Sequence, residues 1–378
     1  MTAFAYYRLP CEQHATYVAQ HVGEPEILSS VAQLNGREGF VIAPFQPSAE
    51  CPVVLIRPDE VRDFVPEAQC VDDAKGGRRV QESPCTEAYA RDYECFHGQL
   101  ERGVFRKIVL ARKSTLHTRL SAEALFQKAC RLYPRLFVAL VYTEPSGMWL
   151  MATPEILLQG NGDAFQTMSL AGTQKAPATT IPPLSTKAVE GLEWPQKDQE
   201  EQQYVTDYIE ACIRTFSDDY RLQGPYTMTA AHLCHLRTDI HFRLPCSDVL
   251  GDVLEALYPT PAVCGIPKEP ARRFILRHEH EPRRYYSGFV GMLSPRADTH
   301  LFVSLRCMRL LPGGICELYA GGGLLKESEM EKEWRETQAK MQTILALFTS
   351  LADKLSPTDC TDDTDSLSFT DSDDGGDL

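Results

Sequence analysis

Apolar residues in this chain recur at two spacings, and each spacing predicts its own kind of element. Over the first hundred residues, short apolar runs such as Gly39-Phe-Val-Ile-Ala43 and Val53-Val-Leu-Ile56 alternate with polar turns, which predicts a strand-rich opening. Residues 87–102 predict a helix leading into a strand over 104–112, and residues 121–132 predict a second helix. Strands are then predicted over 136–142, 148–152, 156–159 and 167–171, and later over 226–230, 300–311 and 315–319. Val205, Ile209, Cys212 and Phe216 recur at helical intervals. A final helix opens on the capping pattern Ser328-x-x-Glu331 and runs to about residue 348. Residues 173–198, with four prolines, predict an exposed connection at the rim of a site.

That last helix carries a further signal. Leu318-Tyr-Ala-Gly-Gly-Gly-Leu324 reads as a glycine-rich turn able to approach an anion, ahead of Glu331-Lys-Glu-Trp-Arg-Glu-Thr-Gln-Ala-Lys340. Helical spacing places Glu333, Glu336 and Lys340 on one face, which continues into Ile344 and Leu347. A face that passes from charge to hydrophobe turns inward, so its charges need partners. A metal ion and an anionic ligand would supply them.

At 378 residues, with 43% hydrophobic and 24% charged positions, the chain is long enough for one large domain or two smaller ones. Of the net charge of −14, eight aspartates unopposed by Lys or Arg lie in residues 355–378, leaving −6 for the rest. That acidic stretch has too little apolar surface to order itself and is expected to be a disordered tail. An acidic body argues against nucleic acid or an anionic membrane as partner. The first residues lack a basic, then apolar, leader, and no run approaches the ~20 apolar residues of a membrane span, so neither signal peptide nor membrane helix is expected. Thirteen cysteines form no Cys-x-x-Cys pair, and several (Cys130, Cys212, Cys307) sit in apolar runs as small hydrophobes. They point to a reducing cytoplasm without zinc or a disulfide framework.

Single residues suggest chemistry, each beside a plainer alternative. Lys107 lies in a strand apolar on both faces, on the side of Phe105 and Val109. Desolvation there favours the neutral amine of a general base, whereas a snorkelling surface lysine is the plainer reading. Glu155, after a proline and between two apolar runs, is either a buried general acid or a turn glutamate facing water. Glu201 precedes Val205 by one helical turn and shares its buried stripe; acidic residues also open helices for dipole reasons alone. Two inward carboxylates from separate helices, without soft ligands, suit Mg²⁺ rather than zinc. Arg306, predicted to alternate with Ser304 and Phe302 along one strand, holds a carboxylate of the protein or of a substrate. His235 orients a ligand or packs in the core.

The order of these residues along the chain resembles the chorismate-utilising superfamily of anthranilate synthase component I, isochorismate synthase and salicylate synthase. The resemblance rests on Lys107-Ile-Val-Leu-Ala-Arg112, Thr153-Pro-Glu155, Ser169-Leu-Ala-Gly-Thr173, Lys197-Asp-Gln-Glu-Glu201 and His235-Leu236. It continues through Tyr258-Pro-Thr-Pro-Ala-Val-Cys-Gly-Ile-Pro267, Glu279-x3-Arg283-x2-Tyr286-x-Gly288, Arg306, Tyr319-Ala-Gly-Gly-Gly323 and Glu333-Trp-Arg-Glu-Thr337-x2-Lys340. It implies one large α/β (α+β) chorismate-binding domain in which an extensive, mostly antiparallel sheet assembly is flanked by helices, with the site in a cleft. Residues 1–103 would form the strand-rich part of that domain and 104–350 its catalytic core, followed by the tail over 355–378. It also implies Mg²⁺ held by Glu201 and Glu336, with Glu200 and Glu333 nearby. Gly172, Thr173, Ala262 and Val263 would line the ring pocket. His235, Arg306, Tyr319, Gly321, Gly323 and Lys340 would complete the substrate site.

The branches of that superfamily differ in the nucleophile that attacks C2 of chorismate. The ammonia-using branch generally lacks the lysine base present here as Lys107. Aminodeoxychorismate synthases of the common type have a nucleophilic lysine where Ala171 stands. Water activated by Lys107 remains, with Glu155 protonating the departing C4 hydroxyl, so isochorismate synthase is the implied activity. Salicylate synthase, which also eliminates pyruvate, is the alternative, and a non-catalytic chorismate-binding relative is a second. The resemblance further implies a monomer in the cytoplasm feeding menaquinone or siderophore synthesis.

Overall fold

The computed structural model describes residues 3–67, 86–176 and 192–348. Its opening strands are β1 (Ala3–Arg8), β2 (Ala15–Gln20), β3 (Glu26–Leu28), β4 (Gly39–Ala43), β5 (Val53–Ile56) and β6 (Glu60–Phe64). There follow α1 (Glu87–Glu101), β7 (Lys107–His117), α2 (Ala122–Leu132), β8 (Phe137–Thr143), β9 (Gly147–Thr153), β10 (Ile156–Asn161) and β11 (Ala164–Lys175). The remainder comprises α3 (Gln196–Ile213), β12 (Tyr220–Ala230), β13 (Leu233–Arg243), α4 (Leu250–Leu257), β14 (Gly265–Ile266) and α5 (Lys268–His278). Strands β15 (Phe289–Leu293), β16 (Thr299–Val303), β17 (Cys307–Leu311) and β18 (Ile315–Leu324) precede α6 (Met330–Leu345).

The described strands form two nine-stranded sheets, one ordered β14-β7-β18-β17-β9-β8-β1-β2-β6 and the other β12-β13-β11-β10-β16-β15-β4-β5-β3. Long antiparallel pairings such as β7 with β18 and β11 with β13 carry their centres. The sheets face one another across a shared core in which Ala5 and Trp149 of the first meet Ile42 and Val290 of the second. Phe137 and Phe302 stack across it with ring centroids 4.1 Å apart. Helices cover the outer faces: α2 and α6 lie on the first sheet and α3 and α4 on the second. This is the α/β domain of antiparallel sheets and flanking helices that the sequence implied.

Side-chain caps open two of the six described α-helices. Thr86 accepts from the Tyr89 amide at 3.3 Å and Ser121 from the Ala124 amide at 3.2 Å, satisfying amides that open α1 and α2. Val205, Ile209 and Ile213 on α3 are fully buried, worth roughly 1.5–3 kcal/mol each.

The structure corrects the sequence reading in three places. The apolar stretch 300–311 is two strands in different sheets, because the chain crosses between them at Ser304–Arg306, where Arg306 takes a left-handed φ of 46°. Arg306 therefore does not alternate with Ser304 and Phe302. The expected capping box at Ser328 does not form: Glu329 occupies the cap position without a side-chain bond, and the Ser328 hydroxyl accepts from the Leu325 amide at 3.0 Å. The glycine run 321–323 is the end of strand β18 and not a turn. Of the expected connection 173–198, β11 takes the first residues and α3 the last, and 177–191 lie outside the described residues, as does the tail.

Candidate active site

Strand alternation on β7 buries Lys107 completely, between Phe105 and Val109 on the same side. The burial comes with a partner: Lys107 Nζ lies 2.9 Å from Glu201 Oε1 on α3, so the amine expected to be neutral from burial alone sits in an ion pair. Opposite, α6 presents Glu333, Glu336 and Lys340 at helical spacing. Lys340 Nζ lies 2.7 Å from Glu336 Oε1 and donates to the Gly321 carbonyl at 2.9 Å. Lys197, one turn ahead of Glu201, bonds Glu333.

The glycines of β18 make this convergence sterically feasible. A Cβ on Gly323 would lie 2.3 Å from Glu201 Oε1 and 2.8 Å from Lys107 Cε, and one on Gly321 would lie 2.8 Å from the Tyr286 hydroxyl. At Gly322 it would meet Glu333 Oε2 at 3.1 Å. The run matters for what its missing side chains admit, not for a turn.

Glu155 sits in the tight link between β9 and β10, and is 3% exposed. Burial pushes its carboxyl up to about 8, against the pull of Lys107, Lys340 and Arg306, so it holds a proton at neutral pH. His235 on β13 bonds the Gly172 carbonyl through Nδ1 at 2.8 Å and contacts Arg306 Nη2 through Nε2 at 3.0 Å. Because arginine only donates, Nε2 accepts and Nδ1 carries the proton. Burial, then the Arg306 charge, lowers His235 to about 3, so this neutral tautomer persists. Arg306 is itself lowered to about 10 by burial and stays charged, its other arm donating to the Thr343 hydroxyl at 3.0 Å.

These groups surround one cavity. Glu155, Glu201, Gly172, His235, Ala262, Val263, Arg306, Tyr319, Gly321, Gly323 and Lys340 all line it. Ala171, Val109, Leu170 and Tyr286 complete its apolar wall. Lys107 is not among the lining residues; its amine lies behind the wall, against Glu201 and Gly323. Thr173 does not line the wall; its hydroxyl bonds Glu336. Glu200 departs from expectation, accepting instead from Gln196 at 2.7 Å on the outer side of α3.

Asp198, Lys197 and Tyr286 stand in motifs of the resemblance, but the sequence assigned them no role at the site. Asp198 lies one turn before Glu201, and that three-residue spacing was the available signal. Burial, then Glu201 and Glu336, raises Asp198 to about 7.

The residues present fit a hard divalent cation. Burial and then the Glu336 charge raise Glu333, whose Oε2 is buried without a hydrogen-bond partner. Glu336 is lowered despite its burial, because Lys340, Lys197 and Thr173 together outweigh that penalty. Among the described residues no three acidic groups close around a point, and lysines balance the carboxylates instead. A set of hard oxygen donors that includes one orphaned carboxylate oxygen has the chemistry that Mg²⁺ takes.

The profile of the chorismate binding enzyme family matches residues 65–349. Isochorismate synthase MenF of Escherichia coli is 31% identical over 279 residues, covering 71% of this chain and 62% of that protein, so the chain spans less than two thirds of this relative. The solved structure of MenF, the menaquinone-specific isochorismate synthase from Escherichia coli, superposes with a TM-score of 0.74 at 23% identity, covering 92% of this chain and 89% of that one. Anthranilate synthase component I from Streptococcus pneumoniae superposes at 0.66 with 16% identity, covering 88% and 92%. With three quarters of its length matched by the profile, the chain belongs to the chorismate binding enzyme family.

Proposed function

We propose that this protein is an isochorismate synthase that uses Mg²⁺ to isomerise chorismate to isochorismate. The observation that carries the reading is a protonated carboxyl in the cavity wall with a buried amine close behind that wall. Glu155 holds a proton at neutral pH, and Lys107 is buried beside the cavity's Glu201. A protonated carboxyl in the cavity wall and an amine paired to the carboxylate beside it supply the acid and the base that such a reaction needs. Ala171 in the cavity wall supplies no amine at the position where aminodeoxychorismate synthases of the common type carry a nucleophilic lysine.

In this reading Arg306 and Lys340 bind the substrate carboxylates, and Ala262, Val263 and Gly172 hold the ring. Lys107 takes a proton from water as the oxygen bonds to C2. The ring double bonds shift, and the C4–O bond breaks as Glu155 donates its proton, so one water enters and one leaves. Bound by Glu201 and Glu336, with Glu333 and Asp198 behind them, Mg²⁺ would hold the ring carboxylate and draw the Glu201 charge away from Lys107. Lys107 then returns its proton to the medium and Glu155 regains one.

Incubation of the purified protein with chorismate and Mg²⁺, with products separated by chromatography, tests the proposal. Isochorismate as the accumulating product supports it. Salicylate with stoichiometric pyruvate would make the protein a salicylate synthase, and unchanged chorismate would leave it a binding protein.

A further inference from the structure

Strand β7, which carries Lys107, loses its partner partway along. On one side β18 follows it throughout, but on the other β14 pairs only Gly265 with Ile108 and Ile266 with Lys107. The Val109 amide still reaches the Cys264 carbonyl at 2.7 Å, and there the neighbouring strand ends. The next two backbone groups on that edge, the Val109 carbonyl and the Ala111 amide, are left without a strand to bond.

Two buried side chains take those places. Arg283 Nη2 donates to the Val109 carbonyl at 2.8 Å, and Glu279 Oε1 accepts from the Ala111 amide at 2.7 Å. The two are locked by a two-pronged pair, Arg283 Nε to Glu279 Oε2 at 2.6 Å and Nη2 to Oε1 at 2.7 Å. The remaining arm of Arg283, Nη1, donates to the Val263 carbonyl at 2.6 Å, and its guanidinium lies 4.5 Å from the Phe45 ring. The Arg283 carbonyl accepts from the Tyr286 amide at 2.9 Å. Three pieces of the cavity wall, Val109, Val263 and Tyr286, thus hang from one residue.

We propose that Glu279 and Arg283 are positioning residues that act as a surrogate strand, fixing β7, and with it Lys107, against the wall that holds the ring. This rests on the isochorismate synthase reading of the site. A planar fork of donors beside a carboxylate reproduces the alternating donor and acceptor of a strand edge, which a lysine cannot do. The pair touches neither substrate nor reacting atoms. Its effect is on alignment, where displacement by about 1 Å costs about 100-fold in rate.

Two variants and one exchange measurement test this. Arg283→Lys keeps the charge and loses the fork. It is expected to retain its circular dichroism spectrum and folded fraction, to lose about 100-fold in kcat, and to exchange amide hydrogens faster over residues 104–112. Arg283→Ala is expected to recover at least tenfold in kcat with guanidinium at tens of millimolar, and not with ammonium at the same concentration. The proposal is overturned if Arg283→Lys stays within threefold of the wild type. It is overturned equally if activity falls only in proportion to folded protein, or if exchange over 104–112 is unchanged. The exchange result needs no turnover, so a wild type making no isochorismate would defeat the functional reading while still testing the surrogate strand.

Discussion

Replacing Glu155 with glutamine exposes the cost of the proton that the site is built to hold. The folded carboxyl titrates at about 8 against an ordinary 4.5, so at pH 7 it is protonated in the folded chain and ionised in the unfolded one. The folded state therefore binds the extra proton, and the stability this group contributes is full below pH 4.5 and lost progressively as pH rises to about 8. At ~1.4 kcal/mol per pH unit, the loss is about 3 kcal/mol at pH 7 and between about 4 and 5 kcal/mol above pH 8. Glu155→Gln removes the titration while keeping the shape. Urea unfolding of both proteins at pH 5, 7 and 9 should show the variant stabilised by under about 1 kcal/mol at pH 5, with the gap widening at each step. Turnover should fall by about 10³-fold, since no proton reaches the leaving hydroxyl. Wild-type kcat should itself decline above pH ~8 as the acid ionises. A stability gap equal at pH 5 and 9, or a variant with wild-type kcat, would refute the assignment of Glu155 as a buried acid.

Lys107→Ala should abolish isochorismate formation while Mg²⁺-dependent chorismate binding, followed by calorimetry, stays within a few-fold of wild type; full activity would exclude Lys107 as the base. Gly323→Ala places a Cβ 2.3 Å from Glu201 Oε1 and 2.8 Å from Lys107 Cε, so the pair must separate. About 100-fold loss of kcat in the folded protein, with a lowered melting temperature from the strained pair, is the expected result; wild-type kcat would show that the close approach is not needed. Glu336→Gln removes a carboxylate from the Mg²⁺ set and should weaken both metal and chorismate binding by at least tenfold in titrations; unaltered metal affinity would move the ion elsewhere.

Where periodicity and burial agree, the fold was legible in the sequence. The stripe Val205, Ile209 on α3 and the Glu333, Glu336, Lys340 face of α6 lie where helical spacing put them, because each segment buries one continuous side. The passage from β16 to β17 was hidden, since an uninterrupted apolar run has the same pattern whether it continues in one sheet or crosses to another. No glycine marks Arg306, and its left-handed backbone is set by its surroundings. The glycines at 321–323 were conspicuous but misread, because the close approach they permit comes from α3, α6 and Tyr286, distant in sequence. Asp198 and the Glu279–Arg283 pair stand in motifs that the sequence displays, but their roles could not be read there, because they depend on partners that only the folded chain supplies.

Turnover in H₂¹⁸O follows the attacking oxygen itself, because solvent oxygen must bond to the ring as the C4 hydroxyl departs. With Mg²⁺ and chorismate, mass spectrometry of the product should show isochorismate carrying one ¹⁸O, located at the new C2 hydroxyl. Unlabelled isochorismate, or label retained only at C4 of recovered chorismate, would contradict it.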